Sequence, residues 1–176
     1  VRRARVGNRA SLCAIIMERD ENKARMRMLT YYDPLTGLPN RNLLVSGADR
    51  FLANNSLTDS DTSFAVLYID LDRFSRVNQS YSYAQGNDVL RAVAGRLMNI
   101  KGKHDLIGRM FADEFVVIAP KCDAGQAFEK ARRIQAELAK PLGFKNMEVL
   151  VSASIGISLC PDNGACLDSL INDANN

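Results

Sequence analysis

The stretch DLIGRMFADEFVVIAP, residues 105–120, decides the fold because it predicts two β-strands joined by a short connection. Its two halves, residues 105–110 and 115–120, are apolar runs of strand length, and residues 111–114 separate them. This spacing predicts a β-hairpin with the carboxylates of Asp113 and Glu114 at its tip. A hairpin joins antiparallel strands, so we expect at least part of the sheet to be antiparallel.

The segments around this hairpin alternate between extended and helical patterns. Residues 63–72 form an apolar run that we expect to be buried on both faces, and residues 147–159 predict one long strand. Asn40 is expected to cap a helix, and further helical spacing occurs in residues 86–100, 122–139 and 165–176. The order of elements predicts an α/β (α+β) sandwich with one central, mostly antiparallel sheet flanked by helices.

Composition and charge limit the class of protein. A chain of 176 residues with 47% hydrophobic and 24% charged residues is typical of one soluble globular core. The net charge of +3 is small and spread out, which argues against nucleic-acid binding. No apolar run reaches the roughly 20 residues of a membrane span, and no secretory signal is visible. We read the cysteines as reduced thiols and therefore expect a cytoplasmic location. The four cysteines lack CxxC spacing, which argues against a zinc site.

The segment before the hairpin domain has its own pattern. Residues 10–20 form a β-like apolar run, and residues 21–33 predict a helix. Apolar residues occupy a and d positions of a short heptad pattern at Met17, Ala24, Met28 and Tyr31. Two interpretations stay open: the helix pairs in parallel with a second copy of itself, or it docks on its own domain.

Two acidic clusters follow strand patterns. Asp70 and Asp72 lie at the exit of the buried strand, whereas Asp113 and Glu114 lie at the hairpin tip. If these strands are neighbours, the carboxylates converge at one edge of the sheet. Oxygen ligands of this kind suit Mg²⁺ or Mn²⁺ with a phosphate substrate. The alternative is that both clusters are solvated loop charges, and the pattern alone leaves this open.

Four motifs, in order along the chain, resemble the GGDEF domain of the diguanylate cyclase family. DPLTGLPNR (33–41) resembles DxLTGLxNR, and DLDRFSRVNQSYSYAQGNDVL (70–90) resembles DxDxFKxINDxxGHxxGDxxL. RMFADEFVVIAP (109–120) resembles RxGGDEFxxxxP, and SASIGIS (152–158) resembles the SxGIA strand. The resemblance covers residues 21–176. It implies a fold like the palm of nucleotidyl cyclases and polymerases, and synthesis of cyclic di-GMP from two GTP molecules, one held by each protomer.

The resemblance also implies roles for the residues that match. Asp70, the backbone carbonyl of Leu71 and Asp113 would hold Mg²⁺ or Mn²⁺. Asp113 and Glu114 would be the catalytic acids of the signature motif. Asn78 matches an asparagine that hydrogen-bonds guanine.

Several nucleotide-binding positions depart from the family pattern. Phe111 and Ala112 replace two glycines, and we expect the Phe111 ring to fill the vacated nucleotide cleft. Asn87 replaces an aspartate that recognises guanine N1–H and N2–H together. A carboxylate accepts both hydrogen bonds, whereas an amide accepts one and presents a donor to the other. Ser75, Ser82 and Tyr83 replace a lysine and a Gly-His pair.

The inhibitory site of the family is altered too. Its RxxD motif corresponds to GKHD (102–105), in which Asp105 remains and Gly102 replaces the arginine. Arginine supplies bidentate contacts to phosphate. We therefore expect cyclic di-GMP to bind weakly or not at all at this remnant.

The resemblance predicts three segments and a larger context. Residues 1–20 would end a PAS-like sensor domain, residues 21–32 would form a signalling helix, and residues 33–176 would form a GGDEF domain that lacks the family's final segment. We expect a homodimer within a longer sensor protein, membrane-attached or not, with a phosphodiesterase domain downstream. The preferred interpretation is a degenerate, regulatory domain with weakened GTP binding. The alternatives are a slow diguanylate cyclase and a nucleotide receptor with relaxed base choice.

Overall fold

The computed structural model describes residues 25–54, 63–144 and 147–176. The predicted PAS-like segment and the heptad positions Met17 and Ala24 lie outside these residues. Residues 25–31 form helix α1. The other helices are α2 (Arg41–Asn54), α3 (Phe74–Ser80), α4 (Tyr83–Ile100), α5 (Ala124–Leu138) and α6 (Leu167–Asn175). The strands are β1 (Phe64–Leu71), β2 (Leu106–Phe111), β3 (Glu114–Pro120), β4 (Leu142–Phe144), β5 (Met147–Val149) and β6 (Ala153–Cys160).

The central sheet has the strand order β2-β3-β1-β6, and its neighbours pair antiparallel. Strand β1 is buried from Phe64 to Ile69, as predicted, because helices cover both faces of the sheet. Apolar residues of α4 and α5 pack on one face, and those of α2 and α6 pack on the other. The α+β sandwich with a mostly antiparallel central sheet is therefore confirmed.

Short polar contacts fix where the helices begin. The side-chain oxygen of Asn40 accepts hydrogen bonds from the backbone N–H groups of Asn42 at 3.0 Å and Leu43 at 3.3 Å, so the predicted cap of α2 is confirmed. The Ser82 hydroxyl accepts a hydrogen bond from the backbone N–H of Gln85 at 3.2 Å and caps α4. This cap sets the orientation of α4, which forms one wall of the site described below.

Two predicted boundaries were wrong. The hairpin connection contains two residues rather than four, because β2 continues through Phe111 and β3 already begins at Glu114. The single strand predicted for residues 147–159 is divided into β5, which pairs with β4, and β6, which pairs with β1. The division follows from the length of β1, whose last residue, Leu71, pairs with Ala153 and leaves residues 150–152 without a partner strand.

Helix α1 presents apolar side chains to solvent. Met26, Met28 and Leu29 are 64%, 55% and 60% exposed, and none of the described residues covers them. The described part of this helix is therefore largely exposed, and both interpretations, docking on its own domain and pairing with a second copy, stay predictions.

No helix among the described residues is long and apolar enough to cross a lipid bilayer.

Candidate functional site

The two acidic clusters meet at one edge of the central sheet. Asp70 lies directly opposite Glu114 in the β1–β3 pairing, and Asp113 precedes Glu114 in the hairpin turn. Strand β1 therefore places the first acid, and the hairpin places the other two beside it. The backbone of Leu71 follows at the end of β1.

The neighbouring carboxylates make ionisation of Asp70 less favourable. Burial raises the pKa of Asp70, and the charges of Asp113, Glu114 and Asp72 raise it further. Burial also raises the pKa of Tyr68, whose hydroxyl is hydrogen-bonded to the Glu114 carboxylate. Negative charge that is crowded in this way favours a bound cation.

The ligand atoms at this edge of the sheet match the preference of a divalent metal ion. Asp70, Asp113 and the Leu71 carbonyl supply only oxygen atoms, the ligands that Mg²⁺ and Mn²⁺ prefer. Among residues 25–54, 63–144 and 147–176, no group of three or more histidine, cysteine or acidic side chains is placed so that it could hold a metal ion by itself. Mg²⁺ commonly uses one or two carboxylates and takes its other ligands from water and substrate phosphates. The residues fit such an open site.

Asp72 does not belong to this donor set. Its carboxylate accepts hydrogen bonds from the hydroxyls of Ser152 at 2.6 Å and Ser154 at 2.7 Å, which hold its pKa below the usual range. Its backbone N–H donates to the Ser152 carbonyl at 2.9 Å. Asp72 therefore fastens the end of β1 to the start of β6.

A cleft of about 450 Å³ opens beside the acids. Its walls come from the end of β1, helices α3 and α4, and the hairpin. The residues that line it are Asp70, Leu71, Arg73, Phe74, Ser75, Asn78, Tyr83, Asn87, Leu90, Arg109, Ala112 and Asp113. The structure thus brings the predicted metal and nucleotide-binding residues to one cleft, except Glu114 and Phe111, which do not line it.

The expectation that the Phe111 ring fills the cleft is wrong. Phe111 is 76% exposed, and its ring is directed into solvent. The β2–β3 register shifts between Arg109 and Phe111, and such a β-bulge changes the direction of the side chain that follows it. Ala112 does line the cleft, and its φ of 40° lies in the left-handed region that favours glycine.

Arg109 is a site residue that the sequence reasoning missed. Its Nε atom donates to the Ala112 carbonyl at 2.8 Å, and Nη1 donates to both carboxylate oxygens of Asp33 at 3.1 Å. Asp33 also accepts hydrogen bonds from the backbone and hydroxyl of Thr36. Asp33 begins the DPLTGLPNR motif and Arg109 begins the RMFADEFVVIAP motif, but their separation of 76 positions gave no sign that they are partners.

The two asparagines occupy the part of the cleft between α3 and α4. Asn78 comes from α3 and Asn87 from α4, and both line the cleft. The neighbouring acid Asp88 forms an ion pair with Arg91 at 2.7 Å instead, so it does not replace the missing aspartate.

Asp105 lies in a different cavity, at the end of the hairpin opposite its tip. This cavity of about 590 Å³ is also lined by Gly102, Lys130 and Arg133. The Asp105 carboxylate accepts hydrogen bonds from Lys130 Nζ at 2.5 Å and from the Gly102 backbone N–H at 2.8 Å. The carboxylate is therefore already neutralised from within the chain.

Comparisons with known proteins agree with this geometry. A family model described as "Diguanylate cyclase, GGDEF domain" matches residues 30–176. A solved sensory box/GGDEF family protein from Caulobacter crescentus is 34% identical, with a TM-score of 0.71, over 82% of this chain and 93% of that chain.

The curated relatives include two signalling proteins from Pseudomonas aeruginosa. The cyclic di-GMP phosphodiesterase NbdA is 28% identical over 98% of this chain. The bifunctional diguanylate cyclase/cyclic di-GMP phosphodiesterase MucR is 33% identical over 97% of it. The chain spans only 22% of the length of NbdA and 24% of that of MucR.

Proposed function

The chain belongs to the GGDEF domain family of diguanylate cyclases, and from this premise we propose that it is a catalytically impaired, regulatory domain of a bacterial cyclic di-GMP signalling protein. One observation carries the proposal: Asn87 and Ala112 both line the cleft, at positions where the family pattern has a guanine-recognising aspartate and a glycine. An amide opposite guanine leaves one donor unmatched, at a cost of about 1–3 kcal/mol.

The acids retained at the sheet edge would still hold Mg²⁺ or Mn²⁺. Asp70, Asp113 and the Leu71 carbonyl would be the ligands, and Glu114, opposite Asp70, would assist from β3. Such an ion neutralises phosphate charge and activates an attacking hydroxyl. Ser75, which lines the cleft where the family pattern has a lysine, supplies no positive charge to the phosphates.

A slow diguanylate cyclase is the second candidate, and one observation favours it. The family pattern has glycine where this chain has Phe111, and a ring there could block the cleft. The Phe111 ring is 76% exposed, however, and leaves the cleft open. GTP would then enter with weakened affinity, and turnover would be limited by Asn87 and Ala112.

The proposal extends to partners and context. Lys130 already pairs with Asp105, and Gly102 offers no guanidinium, so cyclic di-GMP would not bind tightly in that cavity. The exposed apolar side chains of α1 support pairing with a second copy. We assign residues 33–176 to the GGDEF domain of a longer sensor protein, on its cytoplasmic side, with sensor and phosphodiesterase domains alongside.

Turnover of GTP separates the two candidates. The purified chain is incubated with GTP and Mg²⁺ or Mn²⁺, and cyclic di-GMP is followed by chromatography. Asp113→Ala removes a cleft acid, and Asp88→Ala is the matched control, because Asp88 is ion-paired outside the cleft. Absence of product supports the regulatory role. Product that disappears in Asp113→Ala and persists in Asp88→Ala overturns it in favour of the slow cyclase.

A further inference from the structure

The carboxamides of Asn78 and Asn87 line the end of the cleft between α3 and α4. A Cβ atom placed on Gly86 would lie 1.9 Å from Asn78 Oδ1, so the Asn78 side chain rests directly on the Gly86 backbone. Asn87 is the next residue along α4. The absence of a side chain at Gly86 therefore leaves room for the Asn78 amide, and both amides line the cleft.

Both amides are available to a ligand. Within the part of the chain that the structure describes, neither the Asn78 nor the Asn87 side chain takes part in a hydrogen bond. Each carboxamide offers a donor and an acceptor. Asn78 is half-buried, so its unused groups face the cleft rather than open solvent alone.

An aromatic ring and an apolar floor complete this end of the cleft. Tyr83 lies four residues before Asn87 on α4, and residues with this spacing share one face of a helix. The Tyr83 side chain is 79% exposed, so its ring is free to stack on a flat ligand. Phe74 and Leu90 are buried residues that line the same cleft.

We propose that this subsite binds the adenine base of a nucleoside triphosphate in preference to guanine. The inference rests on the proposed function, because it concerns the same cleft. Adenine presents an acceptor, N1, beside a donor, the N6 amino group, and a carboxamide matches this pair with its own donor and acceptor. Guanine presents two donors, N1–H and N2–H, and needs two acceptors there.

The opposite end of the cleft suits the phosphates of such a ligand. Asp70 and Asp113 lie there to hold a divalent cation, and Arg73 adds a positive charge to the lining. Cytosine presents the same donor and acceptor pair as adenine but has one ring, so it stacks over less of Tyr83. The order of affinity is therefore adenine, then cytosine, then guanine.

Calorimetric titration with Mg²⁺ and non-hydrolysable analogues of ATP, CTP and GTP tests this order. One matched or mismatched amide contact discriminates between bases by about tenfold or more, so we expect the ATP analogue to bind about tenfold more tightly than the GTP analogue. Equal or tighter binding of the GTP analogue overturns the inference, as does tightest binding of the CTP analogue.

Two variants with matched controls sharpen the test. Asn87→Asp restores two acceptors and should reverse the preference towards GTP, whereas Asp88→Asn alters an ion-paired neighbour outside the cleft and should leave the order unchanged. Tyr83→Ala should weaken all three analogues. Tyr81→Ala should not, because Tyr81 is exposed but does not line the cleft.

The outcomes separate this inference from the proposed function. If GTP is converted to cyclic di-GMP while the ATP analogue still binds more tightly, the regulatory proposal fails and the base preference stands. If neither the native chain nor Asn87→Asp binds any analogue, the base preference fails and the regulatory proposal stands.

Discussion

Arg109 and Asp33 form a partly buried ion pair, with Arg109 Nη1 lying 3.1 Å from both carboxylate oxygens. Their side chains are only 11% and 18% exposed, and the same guanidinium holds the Ala112 carbonyl through Nε at 2.8 Å. Asp33 belongs to the turn after α1, and Ala112 belongs to the hairpin tip. Arg109 therefore connects the turn that follows helix α1 to a wall of the cleft.

Asp33→Ala should lower the free energy of unfolding by about 1–3 kcal/mol, because it leaves a partly buried guanidinium without its charged partner. Urea unfolding measures the change. Asp168→Ala is the control, since Asp168 pairs with Arg41 at 2.7 Å with both side chains more than half exposed. Removal of that surface pair should cost less than about 1 kcal/mol. Equal effects of the two variants would contradict the connecting role of Arg109.

The contribution of Asp33 should depend on pH. Burial alone would raise its pKa, but hydrogen bonds from Thr36 and the charge and hydrogen bonds of Arg109 hold it below the usual range. The unfolded-state pKa of aspartate is about 3.9. Because the folded-state pKa of Asp33 is lower, ionised Asp33 stabilises the fold by nearly the full amount at pH values above about 3.9. This stabilisation is lost as the pH falls through the folded-state pKa. The difference in unfolding free energy between the native chain and Asp33→Asn should be largest near neutral pH and narrow below about pH 4. A difference that stays constant from neutral to acid pH would argue against this account.

The sequence was sufficient for the parts of the fold that depend on local patterns. The buried run before Asp70, the cap at Asn40 and the hairpin all follow from the spacing of apolar and turn residues. The direction of a side chain was not predictable where it depends on register. The β-bulge before Phe111 turns that ring away from the cleft, and no local pattern encodes the bulge. Asp72 was likewise expected to converge with the other acids, but its carboxylate is held by serines about 80 residues away, which no local pattern indicates.

Asp70→Asn should raise the melting temperature by a few degrees when divalent metal is absent. Burial and the neighbouring acids raise the Asp70 pKa, which means that its ionised form destabilises the fold at neutral pH. Mg²⁺ should raise the melting temperature of the native chain, since a ligand of the folded state stabilises it by mass action, and should have little effect on the variant. Differential scanning calorimetry with and without Mg²⁺ measures both effects.

Asp72→Asn is the matched control for this experiment and should act in the opposite direction. The hydroxyls of Ser152 and Ser154 favour the ionised form of Asp72, so removal of its charge should lower the melting temperature. The response to Mg²⁺ should persist, because Asp72 is not in the donor set. An increase in melting temperature in both variants would indicate a general effect of reduced negative charge rather than reduced repulsion among the carboxylates around Asp70.

Gly156→Ala should destabilise the fold by about 1–3 kcal/mol or more, because a Cβ there would lie 1.6 Å from the Ala174 carbonyl oxygen. The last turn of α6 would have to move away from β6. Gly95→Ala is the control: no atom lies within 4 Å of its added Cβ, and alanine in the interior of α4 should stabilise it by about 0.5–1 kcal/mol. Urea unfolding of both variants gives the two values, and effects of the same sign would contradict the close packing of α6 on Gly156.

The hairpin tip allows backbone strain to be separated from access to the cleft. Ala112→Gly should stabilise the fold by up to about 1 kcal/mol, because glycine adopts the left-handed backbone of residue 112 without the penalty that alanine incurs. Ala136→Gly is the control, since the same change on the exposed face of α5, in ordinary helical backbone, should destabilise the fold by about 1 kcal/mol.

Phe111→Ala should leave nucleotide affinity unchanged in calorimetry, because the ring is directed into solvent. A marked gain in affinity with Phe111→Ala would show that the ring enters the cleft in solution and would restore the blocked-site interpretation.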